Sequence, residues 1–339
     1  SIIGNGYEID RKVGDGSMGE IYLAFSEERN SVVQIKVLPA HMTNDNEKVE
    51  RFLQEIKITA SLAHPNLLSV IEAGEDNGRY YLVTEYEEGV SFHDYIGRYG
   101  PLHEKDSLSF LIQIAEVLQY AWKEKKLLHR EIKPSNILIK NESKEAKLTD
   151  FGVAKVLSED TLNLTGMGFT IGTPEYMSPE QVCGDEDLDS RSDMYAIGLV
   201  LYEALAKTKA FESDNVMTLM NMQMNQPHEN IKKLNPKVSD SCSQLIDRLL
   251  EKDRNNRFND WTTLISSMRR VLEGKEILPQ QEPKPQKPLT QVNLQAAEQT
   301  STRSDHAHTE NNPKKSPLLL ISSLVVVIVI IILGYLLTR

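Results

Sequence analysis

The most informative stretch of this sequence is residues 129–136, which read His-Arg-Glu-Ile-Lys-Pro-Ser-Asn. It follows a long amphipathic pattern and precedes the short apolar run 137–139, so we predict a loop between a helix and a strand. The loop carries a carboxylate, an ammonium group and an amide within six residues. Side chains of these three kinds can converge on one phosphate group, on the group that accepts it and on a metal ion.

A second motif, Asp-Phe-Gly at 150–152, begins fourteen residues after Asn136. Together the two motifs resemble the catalytic loop H-R-D-L-x-x-x-N and the metal-binding D-F-G of protein kinases. The resemblance is to eukaryotic-type serine/threonine kinases in their bacterial, membrane-anchored form, and it covers residues 7–273. One signature position differs, because Glu131 stands where the family has aspartate.

A glycine-rich motif, Gly-Asp-Gly-Ser-Met-Gly at 14–19, lies between two runs of β-branched and aromatic residues. The pattern G-x-G-x-x-G also opens dinucleotide-binding folds, but there it leads into a helix. Here the flanks predict strand, turn and strand, as in the flap that covers the ATP phosphates in kinases. By resemblance, this flap contacts the nucleotide through Val13, Gly14, Gly16, Gly19 and Ile21.

The next strand, Val-Gln-Ile-Lys at 33–36, resembles the kinase motif V-A-I-K. The resemblance implies that Lys36 contacts the α- and β-phosphates and pairs with Glu55 on a helix predicted over 46–62. Gln34 replaces the family alanine that packs on the adenine ring. A glutamine adds volume and a polar amide to an apolar slot. It either turns outward, hydrogen-bonds the purine or obstructs the nucleotide.

Residues 84–89 resemble the hinge between the two kinase lobes. The resemblance implies that backbone groups of Glu85 and Glu87 bind the adenine edge, with Thr84 behind the base. We predict strands and helices around the hinge at 67–73, 80–84, 92–99 and 104–124.

The resemblance also implies an activation segment between Asp150 and Glu180. It contains four hydroxyl residues that are candidates for phosphorylation: Ser158, Thr161, Thr165 and Thr170. A phosphate on Thr165 or Thr170 would pair with Arg130 and order the segment. Further along, Asp193 matches an aspartate that braces the catalytic loop, and Arg257 matches the arginine that pairs with Glu180.

The resemblance to kinases also implies chemical roles for residues of the loop and for Asp150. Asp150 and Asn136 would hold Mg²⁺ or Mn²⁺, and Lys133 would follow the γ-phosphoryl group. Glu131 would orient the substrate hydroxyl and take its proton. Glutamate has nearly the pKa of aspartate but is one methylene longer. A displacement of about 1 Å can lower a rate roughly a hundredfold, so we expect reduced but real activity.

The predicted fold class is α+β, a bilobal protein-kinase fold spanning 7–273. It has a small β-rich N-lobe with one key helix at about 7–88 and a larger helical C-lobe at about 89–273. A disordered juxtamembrane linker is predicted for 274–316, because the composition there loses periodicity and becomes rich in Pro, Gln, Lys and Thr. Residues 318–337 carry no charge and are rich in Val, Ile and Leu, which predicts a transmembrane helix.

Charge and cysteine content restrict the function. The formal net charge is −11, which argues against a nucleic-acid footprint. Two cysteines are too few for a disulfide framework. Lys314 and Lys315 precede the apolar run, so the positive-inside rule places the kinase domain in the cytoplasm of a single-pass membrane protein. Since the chain begins with Ser1 and ends two residues after the run, we expect a few residues before it, and either a tail anchor or a missing outer domain.

Three functions remain open from the sequence. The first is an active membrane-anchored kinase that phosphorylates Ser/Thr hydroxyls on proteins, including itself; Lys133 and Thr173 favour these hydroxyls over tyrosine. The second is a pseudokinase scaffold, motivated by Gln34 and Glu131. The third is a small-molecule phosphotransferase. The intact segment 172–180 argues against it, because the segment that it resembles in protein kinases seats the peptide substrate. A homodimer is expected by analogy alone.

Overall fold

The structure is a computed structural model that describes residues 2–4, 6–16, 19–38, 50, 53, 56–151 and 174–280. In its N-terminal part lies a six-stranded antiparallel sheet with strand order β1-β2-β3-β4-β6-β5. The strands are β1 (Ile2–Ile3), β2 (Tyr7–Gly16), β3 (Gly19–Ser26), β4 (Ser31–Val37), β5 (Val70–Asp76) and β6 (Arg79–Glu85).

Successive side chains of strand β4 alternate between the two faces of this sheet. Val33, Ile35 and Val37 are buried in one apolar cluster. The intervening positions, Gln34 and Lys36, therefore lie on the opposite face, which a second apolar cluster adjoins. This second face carries the lysine of the predicted nucleotide site.

The glycine-rich motif forms the hairpin of β2 and β3, as predicted. Gly16 pairs with Gly19, and the register shifts between Ile9 and Arg11 and again between Lys12 and Gly14. Such irregularities increase the local twist and bend a strand. The strand–turn–strand prediction for this motif is confirmed.

The hairpin of β5 and β6 turns at Asn77 and Gly78, whose φ angles are 51° and 74°. Both central residues of a type I′ turn need positive φ, so the Asn-Gly pair explains the tight connection. The predicted strand from 67 begins only at Val70. Leu67 forms an isolated bridge to Leu148 instead, and so belongs to the C-terminal half.

The C-terminal part is mainly helical. Its elements are a three-stranded sheet of β7 (Gly89–Ser91), β8 (Ile137–Lys140) and β9 (Ala146–Leu148), and the helices α1 (Phe92–Tyr99), α2 (Glu104–Lys125), α3 (Pro179–Cys183), α4 (Ser190–Ala206), α5 (Val216–Asn225), α6 (Ile231–Leu234), α7 (Asp240–Leu249) and α8 (Trp261–Leu272). The predicted helices at 92–99 and 104–124 are confirmed. Helix α4 is almost entirely buried, so it forms the centre of this half of the core.

The chain continues in contact with the helical part beyond residue 273, the predicted end of the domain. Ile277 packs against the core, and Leu278 donates to Ser267 Oγ and accepts from Arg248. Residues 274–280, assigned to the linker from composition, thus adjoin the kinase domain. The rest of the predicted linker and the predicted membrane span at 318–337 lie outside the described residues. Among the helices that are described, none combines the length and the apolar character that crossing a membrane requires.

Candidate active site

The catalytic loop (residues 129–136) is held by a buried carboxylate from helix α4. Asp193 accepts hydrogen bonds from the backbone amides of His129 and Arg130, each at 2.9 Å. The bonds hold Arg130 in the left-handed region, at φ 66°. Burial raises the pKa of Asp193, whereas the two amide donors favour its charged form. The brace predicted for Asp193 is confirmed.

Within this loop the side chains of Glu131 and Lys133 lie together. Lys133 Nζ is 2.5 Å from Glu131 Oε1, and the two side chains are only 9% and 15% exposed. Asn136 closes the loop, because its Nδ2 donates to the backbone carbonyl of Glu131 at 2.9 Å. Pro134 begins the short 3-10 turn Pro134–Asn136 that brings Asn136 into this position. The glutamate thus has a fixed cation at its carboxylate.

The second motif joins the catalytic loop through His129. His129 Nε2 lies 2.9 Å from the carbonyl oxygen of Thr149, and its ring contacts Phe151 edge-on at 5.2 Å. Phe151 is buried in the helical core. Asp150, at φ 61°, then turns its carboxylate to Lys36 of β4, with which it forms an ion pair. The predicted partner of that lysine, Glu55, lies outside the described residues.

The donor set around Asn136 and Asp150 fits a hard divalent cation. Because Asn136 Nδ2 is committed to a carbonyl, its Oδ1 is the atom that would act as a ligand. Carboxylate and amide oxygens are the ligands that Mg²⁺ and Mn²⁺ prefer. Asn136 and Asp150 would hold the ion, which would neutralise charge on the transferring phosphoryl group.

The nucleotide slot contains a buried polar atom without a partner. Thr84 is 5% exposed, and its Oγ1 has no hydrogen-bond partner. Gln34 pairs with Thr84 across β4 and β6, so both side chains lie on the face that carries Lys36. Gln34 is partly buried and makes no side-chain hydrogen bond to the described residues. Orphaned polar groups of this kind fit a purine base, whose edge offers donors and acceptors.

The hinge residues are tied to the C-terminal part by charge. Glu87 lies 2.8 Å from Lys147 Nζ and 3.0 Å from Lys140 Nζ. The hydrogen bond from Lys147, more than that from Lys140, holds the pKa of Glu87 below its usual range against the effect of burial. The amide of Glu85 donates to Ser69. The predicted backbone contacts of Glu85 and Glu87 with adenine stay a prediction.

The docking segment, which we define as residues 174–178, is fastened by groups that sequence reasoning missed. Tyr176 donates to Glu203 of α4 at 2.5 Å, and Glu175 accepts from Lys209 at 3.0 Å. Burial and the adjacent Glu203 carboxylate raise the pKa of Tyr176, and burial raises that of Glu203. Glu203 is a charged residue in a largely apolar helix sequence. That position could have indicated a buried polar contact.

The segment is followed by the predicted pair of Glu180 and Arg257, which is confirmed. Arg257 is fully buried and contacts both carboxylate oxygens of Glu180, at 2.7 and 2.8 Å. Ser178 begins helix α3 with a capping box through Gln181. Gln181 also donates to the carbonyl of Arg130 at 2.9 Å, so helix α3, which Ser178 of the docking segment caps, is joined to the catalytic loop. The candidate phosphosites lie outside the described residues.

The catalytic loop pairs a glutamate with a lysine, and the aspartate of the second motif pairs with a lysine of β4. These pairs, with Asn136 beside them, are the arrangement that a phosphotransferase site needs. The chain belongs to the protein kinase family, because the family model described as "Protein kinase domain" matches residues 7–270. The bilobal kinase fold and the protein kinase family are thereby confirmed. The membrane-anchored form and the transmembrane helix stay predictions.

The curated relatives are named as serine/threonine-protein kinases. The chain is 36% identical over 252 residues to serine/threonine-protein kinase PrkC of Bacillus subtilis, covering 74% of this chain and 38% of that protein. It is 29% identical over 316 residues to PknB of Mycobacterium tuberculosis, covering 92% of this chain and 48% of that protein. The chain therefore spans less than half the length of these relatives.

A solved structure supports the fold. The crystal structure of the Mycobacterium tuberculosis PknI kinase domain is similar with a TM-score of 0.64 and 25% identity. The similarity covers 79% of this chain and 97% of that domain. The likeness therefore extends over both parts of a complete kinase domain.

Proposed function

We propose that this chain transfers the γ-phosphoryl group of ATP to Ser/Thr hydroxyls of proteins. The observation that carries the proposal is that the catalytic loop and the Asp-Phe-Gly motif are joined through His129 and each hold a carboxylate against a lysine. Lys36 pairs with Asp150, Glu131 pairs with Lys133, and Asn136 binds the loop that carries Glu131. The kinase relatives support the same reaction.

In this reaction the substrate hydroxyl oxygen attacks the γ-phosphorus while the bond to the β,γ-bridging oxygen breaks, and ADP leaves. The hydroxyl proton passes to the Glu131 carboxylate. Lys133 holds that carboxylate in place, because its ammonium is already 2.5 Å from Oε1 in the structure. The pair is held from behind by the brace on the loop backbone, so the longer glutamate has a defined position.

The longer side chain sets the expected rate. A general base contributes roughly 10² to 10⁴ in rate, and a 1 Å misplacement removes about 10² of it. We therefore expect Glu131→Asp to change the rate of phosphate transfer by up to about a hundredfold. The rate should rise if the loop keeps its position. Glu131→Gln should lower it by about 10² or more, because an amide cannot accept the proton.

The test is phosphate transfer from radiolabelled ATP to a generic basic protein, with Mg²⁺ or Mn²⁺ present. Asp150→Asn should abolish incorporation, and Lys144→Ala, an exposed change, should leave it unchanged. Phosphopeptide mapping of the same sample should find Thr165 or Thr170 modified if the chain phosphorylates itself. Nucleotide binding without any incorporation would refute the proposal in favour of a pseudokinase. Label on a small metabolite alone would indicate the third function.

We further propose that residues 318–337 anchor the kinase to a membrane, with its domain on the cytoplasmic side. The support is the uncharged run of twenty residues and the lysines at 314 and 315. An anchor would raise the local concentration of the domain and favour reaction between two copies. The full chain should sediment with membranes after carbonate washing, and a chain ending at residue 316 should not. Equal release of both would exclude the anchor.

A further inference from the structure

The docking segment is held by one buried amide side chain. Gln223 of helix α5 is completely buried, and its Nε2 donates to the backbone carbonyls of Pro174 at 3.2 Å and Glu175 at 2.8 Å. Both hydrogens of the amide are used in this way. Because the two carbonyls belong to consecutive residues, these two bonds define the orientation of the peptide plane between them.

The amide of Gln223 is itself oriented by a chain of donors. Tyr195 of helix α4 donates its hydroxyl hydrogen to Gln223 Oε1 at 2.8 Å. Lys252 Nζ donates in turn to the Tyr195 oxygen at 3.0 Å. Every link runs in the same direction, from ammonium to hydroxyl to amide to carbonyl. The lysine leaves the tyrosine no free choice of donor direction, so the side-chain amide cannot flip without breaking two bonds.

Lys252 is an unusual residue for this place. Its other two donations go to the backbone carbonyls of Met222 at 3.3 Å and Gln223 at 2.8 Å. Its ammonium lies over the rings of Phe211 at 4.1 Å and Tyr195 at 5.5 Å. Within the described part of the chain no carboxylate forms an ion pair with it. A partly buried cation without a counter-ion costs stability, and contacts with aromatic faces offset only part of that cost.

From these contacts we infer that Lys252, Tyr195 and Gln223 form a relay of positioning residues that fixes the docking segment and sets the affinity for the protein substrate. The inference rests on the proposed kinase function. The relay reaches the segment from the side of helices α4 and α5, and within the described residues none of its hydrogen bonds goes to Gln34, Lys36 or Thr84. Loss of the relay should therefore weaken the binding of the protein substrate and leave the binding of ATP unchanged.

Gln223→Met tests the relay, since methionine has similar volume but cannot donate to the carbonyls. The KM for the protein substrate should rise about tenfold, the effect of losing one to two net hydrogen bonds. The KM for ATP and kcat should stay within about twofold. Lys252→Met and Tyr195→Phe should act in the same direction but more weakly, because both leave the two donations of Gln223 in place. The matched control is Gln226→Met, the same change at an exposed position on the same side of the fold.

Hydrogen exchange of the full chain supplies a readout that does not need activity. In Gln223→Met the amides of residues 175–178 should exchange faster, while those of the catalytic loop and of β4 should not. Faster exchange of all three regions, with kcat and both KM values changed together, would show a general structural role and overturn the inference. So would an unchanged docking segment. If the wild-type chain transfers no phosphate, the kinase proposal fails, and exchange alone still decides on the relay.

Discussion

The buried ion pair between Arg257 and Glu180 should be the most costly single contact to remove from the helical part. Every N–H of the Arg257 guanidinium has an acceptor. Two go to the carboxylate of Glu180, and the others go to the backbone carbonyls of Glu251 at 2.8 Å, Arg191 at 2.9 Å and Lys252 at 3.1 Å. We take Arg257→Met as the perturbation, because methionine fills much of the volume without any donor.

The loss of stability in Arg257→Met follows from the buried carboxylate of Glu180, which the substitution leaves without its partner. Burial raises the pKa of Glu180, but the hydrogen bonds and charge of Arg257 outweigh it, so the net pKa lies below its usual range and the buried carboxylate is charged. Removing one partner of such a pair costs about 3–5 kcal/mol. Three backbone carbonyls also lose a charged donor, which places Arg257→Met in the upper half of that range. At roughly 2–4 °C per kcal/mol, the Tm should fall by roughly 10–15 °C.

The assay is thermal unfolding followed by circular dichroism. Arg269→Met is the matched control, because its pair with Glu116 is exposed and should contribute about 0–1 kcal/mol. The double variant Glu180→Leu with Arg257→Met should be more stable than Arg257→Met alone, since it no longer buries an unpaired carboxylate. A Tm shift no larger than that of the control, or a double variant less stable than the single one, would refute the reasoning.

Two further predictions concern packing and pH. Gly198→Ala in helix α4 would place a Cβ 2.7 Å from the Cβ of Leu249, so it should cost about 1–3 kcal/mol, whereas Gly97→Ala in α1 meets nothing within 4 Å and should gain up to about 1 kcal/mol. Equal Tm values for these two variants would contradict the predicted helix contact. Burial, and then the charge of Arg257, lower the pKa of Lys252 to about 8. Between about pH 8 and 10 the unfolded chain therefore holds a proton that the folded chain lacks, and stability gains about 1.4 kcal/mol per pH unit. Urea unfolding of wild type and Lys252→Met across this window should show the gain only in the wild type, and parallel pH profiles would contradict it.

The proximity of the candidate catalytic residues could be predicted from the sequence because their spacing is local. In residues 129–136 the backbone of one short loop carries Glu131, Lys133 and Asn136, and no other element is needed to bring them together. The pair of Glu180 and Arg257 and the brace by Asp193 were also predicted, but only through the resemblance to kinases. Their charges are far apart in sequence, and no periodicity links them.

The relay that holds the docking segment could not be predicted in this way. Gln223 lies 49 residues from the carbonyl of Pro174, and Lys252 lies 57 residues from Tyr195. In the sequence, Gln223 is one polar residue within a run rich in methionine, and it reads as a solvent-facing position. Only the packing of helix α5 against the docking segment makes it completely buried. The late start of β5 has a similar cause, because Leu67 and Leu68 contact Leu148 of β9 in the C-terminal part.

Helix α4 explains why the functional segments hold their relative positions. A helix buried on all sides would normally be apolar throughout, since each buried polar group without a partner costs free energy. This helix instead buries Ser192, Asp193, Tyr195 and Glu203. Each of the four hydrogen-bonds a different functional element: the ion pair after the docking segment, the catalytic loop, the relay, and the tyrosine of the docking segment. The catalytic loop and the docking segment are thus both hydrogen-bonded to one helix. A shift of this helix would therefore move the bound protein substrate and the candidate catalytic carboxylate together.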